Sequence, residues 1–209
     1  MLIHIIDLGI NNLTSVERVF SNLSDVTKVN IVNDENARSI GEQAEIVVLP
    51  GLGHFGAAAK ILSDSELPTY IDKQLTFGST LVGICLGMQL LGSSSEESEG
   101  SQGLGLIEGT SRLLPSHQNE RIPHVGWSEV KPTNEEGYES LASNRDFYFT
   151  HSYIFHAKDP QNILTTTPYG EESFTSSIKK AKILGFQFHP EKSGKAGRDL
   201  IGEIVKSAK

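Results

Sequence analysis

The chain has 209 residues, a length typical of one globular domain, and it contains no internal repeat. Hydrophobic residues make up 37% and charged residues 21%, a balance that excludes a disordered or fibrous protein. The 18 Lys and Arg residues against 26 Asp and Glu residues give a net charge of −8, and no basic cluster offsets it, which argues against a nucleic acid partner. We therefore expect one domain over residues 1–209.

The sequence predicts neither a membrane span nor a disulfide. The longest apolar run, residues 81–92, is much shorter than the roughly 20 residues that a membrane-spanning helix requires. The N-terminus lacks the basic segment and cleavage site of a signal peptide, so we expect a cytoplasmic location. Cys85 is the only cysteine, which leaves it as a buried structural thiol or a nucleophile.

The first half of the chain alternates short apolar runs with helical periodicity, the pattern of a parallel sheet covered by helices. One apolar stripe predicts a helix that begins at Leu13 after a possible Asn cap, a second stripe begins at Phe55, and Pro68 is expected to open a third helix. Four strands are predicted, at Leu2–Ile6, Lys28–Val32, Glu45–Leu49 and Thr80–Ile84.

The second half, from about residue 103 to 180, changes to short β-like runs separated by Gly, Pro, Asn and Ser. The predicted strands are Arg121–Val130, Phe147–Ile154 and Ser173–Lys179, followed by Lys182–Phe188 and a final helical stripe from Leu200 to Ala208. No linker separates the halves, so the pattern predicts a single α/β domain with a β-rich insertion.

Cys85 lies where an apolar strand runs into a helix, with Gly83 and Gly87 two residues away on either side. This is the spacing of a nucleophile elbow, in which small residues permit a sharp turn that projects the side chain above the carboxyl edge of a sheet. The start of the next helix favours a thiolate, and the backbone N–H of Leu86 is available to an oxyanion. The alternative is a cysteine packed beneath a turn, but the glycines favour the nucleophile.

A thiolate nucleophile needs a base, and the base needs an orienting group. Among seven histidines, His189 ends a predicted strand and is expected at the same sheet edge as Cys85. Glu191 lies two residues further on, and in an extended chain it points the same way as His189, so it can hold the imidazole. Alone, this pair is better explained as two surface residues; together with Cys85 it indicates a catalytic site.

A third turn, at residues 49–55, places Gly51 and Gly53 between a strand and a helix. Glycines let backbone N–H groups approach a ligand closely. The spacing fits neither the dinucleotide fingerprint nor the P-loop, so the turn favours an oxyanion or a substrate carboxylate. On the turn alone, an ordinary tight turn is the better interpretation.

Two segments together resemble the class I, triad-type glutamine amidotransferases: Gly-Ile-Cys-Leu-Gly-Met-Gln-Leu-Leu at 83–91 and Phe-His-Pro-Glu at 188–191. The resemblance covers nearly the whole chain. It implies an α/β fold with a flavodoxin-like parallel or mixed sheet flanked by helices and a β-rich section in the second half. It also implies glutamine as the substrate, with no metal and no organic cofactor.

The same resemblance implies a role for each matching residue. Two of these residues have a structural alternative: Gln89 could be a solvent-facing helix residue, and Tyr153 could be a core aromatic on a strand. The implied roles are a catalytic triad of Cys85, His189 and Glu191, oxyanion N–H donors at Leu52 and Leu86, and glutamine contacts at Gly53, Gln89, His151, Ser152 and Tyr153.

Five further segments are similar to one branch of this family, the glutaminase subunits that serve histidine biosynthesis; they lie at 50–55, 122–127, 149–153, 169–174 and 189–193. This branch implies a heterodimer with a (β/α)8-barrel cyclase that receives ammonia directly. His124 and Trp127 belong to a segment that faces the partner in this branch, or that packs as a core turn.

The first loop departs from the family pattern Asp-Tyr-Gly-x-Gly-Asn, since residues 7–12 are Asp-Leu-Gly-Ile-Asn-Asn. Ser128, where Asn is common, and the run Ser93–Ser95 also differ. These departures motivate one alternative, a paralogous subunit that supplies ammonia to another synthase, for example in surface-sugar amidation. A catalytically silent binding subunit and an unrelated cysteine hydrolase are the alternatives from other classes.

Overall fold

The computed structural model describes residues 1–10, 13–115, 121–133, 138–142 and 145–208, so Asn11 and Asn12 of the first loop, and with them the possible Asn cap, lie outside the described residues. No helix in these ranges is long and apolar enough to span a membrane. The strands are β1 Leu2–Ile6, β2 Lys28–Val32, β3 Ile46–Gly51, β4 Thr80–Cys85, β5 Ser94–Ser95, β6 Gly109–Leu113, β7 His124–Pro132, β8 Arg145–His151, β9 Tyr153–Ala157, β10 Ile163–Tyr169, β11 Glu172–Lys180 and β12 Ile183–Phe186. The helices are α1 Leu13–Ser21, α2 Asp34–Ala37, α3 Phe55–Ser63, α4 Leu67–Thr76, α5 Leu86–Leu90, α6 Glu139–Ala142 and α7 Gly194–Ser207.

Nine strands form one sheet in the order β2-β1-β3-β4-β12-β11-β10-β7-β8. The first five run parallel, and their order is that of flavodoxin-like folds. The other four are antiparallel, so the sheet is mixed. The predicted α/β fold with a flavodoxin-like sheet is confirmed.

Helices cover both faces of the parallel part of the sheet, because successive residues of its apolar strands point to opposite sides. In β3, Val48 lies in a hydrophobic cluster with residues of α1 and α7, whereas its neighbour Val47 lies in a second cluster with residues of α3 and α4. The predicted apolar stripes that begin at Leu13 and Phe55 fall on α1 and α3, and Pro68 lies in the first turn of α4, as predicted.

The second half differs from the prediction in the number of its strands and in the sheets to which they belong. The predicted strand Phe147–Ile154 is two strands, β8 and β9, because the chain bends at Ser152 and passes from the large sheet to a small sheet of β5, β6 and β9. The expected β-rich insertion is mostly a continuation of the main sheet. Strand β10 was not predicted because its sequence, with three successive threonines, lacks an apolar alternation.

Three turns of interest meet at one edge, since parallel strands end on the same side of a sheet. Gly51 ends β3 and pairs in register with Cys85 at the end of β4, while β12 leads to His189. Strand β8 also reaches this edge, because the backbone N–H of His189 donates to the carbonyl of Tyr148 at 2.8 Å. The sheet edge therefore gathers residues that are more than one hundred positions apart.

Two glycines in helices provide a matched test of this packing. A Cβ at Gly87 in α5 would lie 1.8 Å from the carbonyl oxygen of Leu49 in β3, whereas a Cβ at Gly202 in α7 would meet nothing within 4 Å. We predict that Gly87→Ala lowers the free energy of unfolding by at least about 3 kcal/mol, because the helix must move away from the sheet. Gly202→Ala should leave it unchanged or raise it by up to about 1 kcal/mol. Urea denaturation measures both, and equal effects would contradict the close approach of α5 to β3.

Candidate active site

Cys85 occupies a strained turn between β4 and α5. Its backbone φ is 54° and ψ −110°, a conformation that L-residues other than glycine rarely adopt, and the residue is 5% exposed. A Cβ at Gly83 would come within 2.7 Å of the carbonyl oxygen of Gly87, so the first glycine lets the helix fold back on the strand. The predicted nucleophile-elbow geometry is present.

His189 and Glu191 form a buried pair beside this turn. The Nδ1–H of His189 donates to Oε1 of Glu191 at 2.8 Å, and both side chains are 5% exposed. The predicted contact is present, but the predicted extended geometry is wrong, because Pro190–Lys192 forms a 3₁₀ turn that brings the carboxylate back to the ring. The Ser193 hydroxyl donates to the carbonyl of His189 at 2.6 Å and fixes the backbone.

The surroundings of His189 favour its protonated form. Burial disfavours the imidazolium, but the interactions with Cys85 and Glu191 outweigh burial and raise the pKa of His189 to about 9. Its Nε2 has no hydrogen-bond partner among the described residues. One ring nitrogen is thus held by a carboxylate, and the other is left for proton transfer.

A cavity of about 210 Å³ opens in front of Cys85, smaller than the roughly 300–1,000 Å³ of sites for drug-sized ligands. His189 and Glu191 line a separate crevice of about 20 Å³. Within the part of the chain that the structure describes, no group of three or more His, Cys, Asp and Glu side chains is placed to hold a metal ion. The cavity is lined by eight residues named from the sequence, Leu52, Gly53, Cys85, Leu86, Gln89, His151, Ser152 and Tyr153, together with Glu97, Pro123 and Thr150.

The Gly-rich turn lies directly against the start of α5. A Cβ at Gly51 would lie 2.7 Å from Cβ of Leu86, so only glycine permits this approach. Gly53 has a φ of +119°, which also favours glycine, and Leu52 between them is 43% exposed. The backbones of Leu52 and Leu86, the two predicted oxyanion donors, are therefore neighbours at the mouth of the cavity.

The polar side chains of the cavity wall are held by hydrogen bonds. Gln89 is 4% exposed, so its alternative as a solvent-facing helix residue is wrong, and its amide donates to the carbonyl of Tyr153 at 2.9 Å. The half-buried Tyr153 lies at the cavity wall and not in the core. Burial, and then the neighbouring His124, lower the pKa of His151 to about 3, so this ring is neutral.

Glu97 and Gln187 are polar residues of the site that were not predicted from the sequence. Glu97 lines the cavity and accepts a hydrogen bond from the backbone N–H of Phe55 at 2.6 Å, at the first residue of α3. Gln187 is fully buried, and its amide nitrogen lies 3.8 Å from Sγ of Cys85. Glu97 follows a run of serines that has no periodicity, and Gln187 interrupts an apolar strand end, so neither offers a sequence signal of function.

Comparison with known proteins places this geometry in a family. Residues 4–204 match the family described as Glutamine amidotransferase class-I. A Thermotoga maritima protein named imidazole glycerol phosphate synthase subunit HisH is 38% identical over 212 residues, covering 99% of this chain and 97% of that protein. A Methanopyrus kandleri protein of the same name is 41% identical over 210 residues, covering 100% and 99%. The solved structure of PurLQS from Thermotoga maritima shares the fold, with a TM-score of 0.70 at 16% identity, covering 100% of this chain and 99% of that chain.

The raised pKa of His189 gives a testable pH dependence. A folded-state pKa of about 9 lies above the ordinary 6.5, so the stabilisation from this proton is complete below about pH 6.5 and is lost as the pH rises through about 9. We predict that Glu191→Gln lowers the pKa of His189 in an NMR titration and reduces this pH-dependent part of the unfolding free energy. The signal of His156, whose pKa is lowered by burial away from this site, should not move. A His189 titration that Glu191→Gln leaves unchanged would contradict the role of the carboxylate.

Proposed function

Because this chain belongs to the glutamine amidotransferase class-I family, we propose that it is the glutaminase subunit of an imidazole glycerol phosphate synthase, with Cys85, His189 and Glu191 as its triad. One observation carries the proposal. The imidazole of His189 is fixed by Glu191 on one nitrogen, has no hydrogen-bond partner on the other within the described ranges, and lies next to a strained cysteine at a small cavity. This is the arrangement that an activated thiol nucleophile requires.

The first half of the reaction releases ammonia. The thiolate of Cys85 attacks the side-chain amide carbon of glutamine, and the N–H groups of Leu52 and Leu86 stabilise the negative charge on the oxygen. The imidazolium of His189 gives its proton to the leaving nitrogen, so the C–N bond breaks and a γ-glutamyl thioester remains on sulfur. A histidine that is already protonated suits this step, because the proton is in place before the bond breaks.

The second half regenerates the enzyme. His189, now neutral, accepts a proton from water as the water attacks the thioester carbonyl, and the C–S bond breaks to give glutamate and the thiolate. Glu191 keeps the ring oriented and stabilises its positive charge in both halves. Neither a metal nor an organic cofactor takes part in these steps.

The cavity offers complementary groups for an amino acid. Glu97 contributes a carboxylate to the cavity lining, and we infer that this carboxylate accepts a hydrogen bond from the α-ammonium group of glutamine. Gly53, Gln89, His151, Ser152 and Tyr153 surround the remaining space and are the proposed contacts for the carboxylate and the side-chain amide. A cavity of about 210 Å³ suits one small amino acid better than a peptide.

A partner subunit is proposed to dock on the side where ammonia leaves. Val125 and Trp127 are 56% and 55% exposed, an unusual position for large apolar side chains. The ring of Trp127 lies 6.0 Å from that of Tyr148, and the ammonium of Lys192 lies 6.0 Å from the same Tyr148 ring. Lys192 also lines the small crevice that reaches His189. These residues, called the aromatic patch below, adjoin that crevice through Lys192, and we infer that ammonia leaves on this side.

The proposed partner is a (β/α)8-barrel cyclase in a cytoplasmic heterodimer. It would combine ammonia with a phosphoribulosyl formimino carboxamide ribonucleotide to give imidazole glycerol phosphate and an aminoimidazole carboxamide ribotide. Direct transfer is needed because ammonia that escapes into water becomes protonated and loses its nucleophilicity. Rotation of a peptide in the turn Gly51–Gly53 is the proposed switch, since it would create or remove the oxyanion donor at Leu52.

Glutamate release from glutamine tests the proposed function. We predict weak hydrolysis by the chain alone, strong activation by the cyclase with its nucleotide substrate, and loss of both in Cys85→Ala. Trp127→Ala, in the aromatic patch, should weaken activation, whereas Phe77→Ala, an exposed apolar residue at the end of α4, should not. Hydrolysis that survives in Cys85→Ala would contradict the triad. Cys85-dependent hydrolysis that no cyclase activates would move the ammonia acceptor to another synthase.

The neighbouring carboxylates Glu97 and Glu96 provide a matched pair for substrate binding. Glu96 points away from the cavity and pairs with Arg112 at 3.4 Å. We predict that Glu97→Gln raises KM for glutamine by about tenfold or more with a small change in kcat, because it removes a charged contact made equally in ground and transition states. Glu96→Gln should leave both constants unchanged. Equal KM values in the two variants would rule out Glu97 as the ammonium acceptor.

A further inference from the structure

We propose that Gln187 is a positioning residue for the sulfur of Cys85, and that the buried pair His124 and His151 anchors the other end of the same hydrogen-bonded chain. The proposal rests on the proposed function, because it concerns the same nucleophile. It gives a role to Gln187 and His124, buried polar residues that take no part in the reaction steps above.

Gln187 is fully buried next to Cys85. Its amide nitrogen lies 3.8 Å from Sγ of Cys85, and its amide oxygen accepts from Nε2 of Gln89 at 3.2 Å. The orientation of both amides follows from a single acceptor. The carbonyl of Tyr153 can only accept, so it binds the NH₂ end of Gln89, and that end in turn faces the oxygen of Gln187. The NH₂ end of Gln187 is therefore the one that faces sulfur.

The histidine pair reaches the same carbonyl from the other side. Nδ1 of His151 lies 3.0 Å from the carbonyl oxygen of Tyr153, so Nδ1 carries the proton. Nε2 of this neutral ring must then accept, and its donor is Nδ1 of His124 at 3.0 Å. Nε2 of His124 lies 2.9 Å from the hydroxyl of the half-buried Ser128. From the carbonyl of Tyr153 to Nδ1 of His124, each proton position follows from the neighbouring group.

The carbonyl of Tyr153 is the junction of the two branches. It accepts from Gln89 at 2.9 Å and from His151 at 3.0 Å, so both of its acceptor positions are filled. If the histidine branch is removed, this carbonyl is free to shift, and Gln89 and Gln187 shift with it. The chain thereby couples the placement of a wall of the glutamine cavity to the placement of the sulfur.

The contacts of Cys85 explain why its sulfur needs a hydrogen-bond donor nearby. On one side, Sγ lies 3.7 Å from the carbonyl of Thr150, which can accept from a thiol but offers nothing to a thiolate. On the other side, the amide N–H of Gln187 can donate to the negative sulfur. Gln187 therefore offers the sulfur a hydrogen bond that suits the attacking anion and fixes the position of Sγ.

The single cysteine makes the test direct, because alkylation by iodoacetamide reports Cys85 alone and needs no glutamine. Gln187→Leu removes the amide, and Gln187→Asn keeps an amide that is too short to reach sulfur. The matched control is Gln74→Leu, another buried glutamine, which accepts from the backbone N–H of Ala44 at 2.9 Å far from the site. All three variants are compared in alkylation rate, kcat, KM and thermal stability.

The expected result is that both Gln187 variants slow alkylation and lower kcat by about tenfold, the effect of one hydrogen bond to a charged group, with a smaller change in KM. Gln74→Leu should lose stability without slowing alkylation. His124→Leu should slow alkylation, and His124→Asn, which keeps an N–H near the position of Nδ1, should restore it.

Wild-type alkylation in a folded Gln187→Asn variant would overturn the positioning role, and wild-type alkylation in His124→Leu would overturn the anchor. A wild-type chain that reacts with iodoacetamide but never releases glutamate would instead contradict the proposed function, so the two failures are distinguishable.

Discussion

The site depends on one constraint, the close packing of three backbone segments around Cys85. The sharp turn between β4 and α5 exists only because Gly83, Gly87 and Gly51 leave no side chain where another backbone passes. That packing holds the cysteine in a conformation that L-residues rarely adopt, and it brings the turn between β3 and α3 against the start of α5. The energetic cost of this backbone conformation at Cys85 is offset by the packing of the buried parallel strands that hold the turn.

The charges near each histidine determine its protonation state. His189 and Glu191 share a buried corner in which desolvation alone would keep the imidazole neutral, yet the carboxylate and the cysteine together favour the proton. His151, only a short distance away, is neutral because burial and His124 dominate there. Two histidines of one site thus have opposite protonation states, which fits the proton transfer proposed for His189 and the hydrogen bonds that His151 makes.

Much of this could be predicted from local sequence. Three features each carry a signal within a few residues: the strands β1, β2 and β4, the glycine spacing around Cys85, and the pair His189 and Glu191. Strands β1 and β2 have the predicted bounds. What local sequence could not provide are contacts between distant segments. Four features depend on residues that are distant in sequence: the polar strand β10, the bend at Ser152, Glu97 after a serine run, and Gln187 beside the sulfur. Even the contact between His189 and Glu191 was predicted for the wrong reason, since a turn and not an extended strand makes it.

The proposed reaction begins when Cys85 attacks the side-chain amide carbon of glutamine. The most direct test is peptide mass spectrometry after treatment with a chloroketone analogue of glutamine, which carries an electrophilic carbon near the position of the amide. We expect one label per chain, on Cys85, in step with the loss of glutaminase activity, and we expect glutamine to protect the cysteine. Inactivation with the label on another residue, or labelling of Cys85 that leaves glutamate release intact, would contradict the proposed reaction.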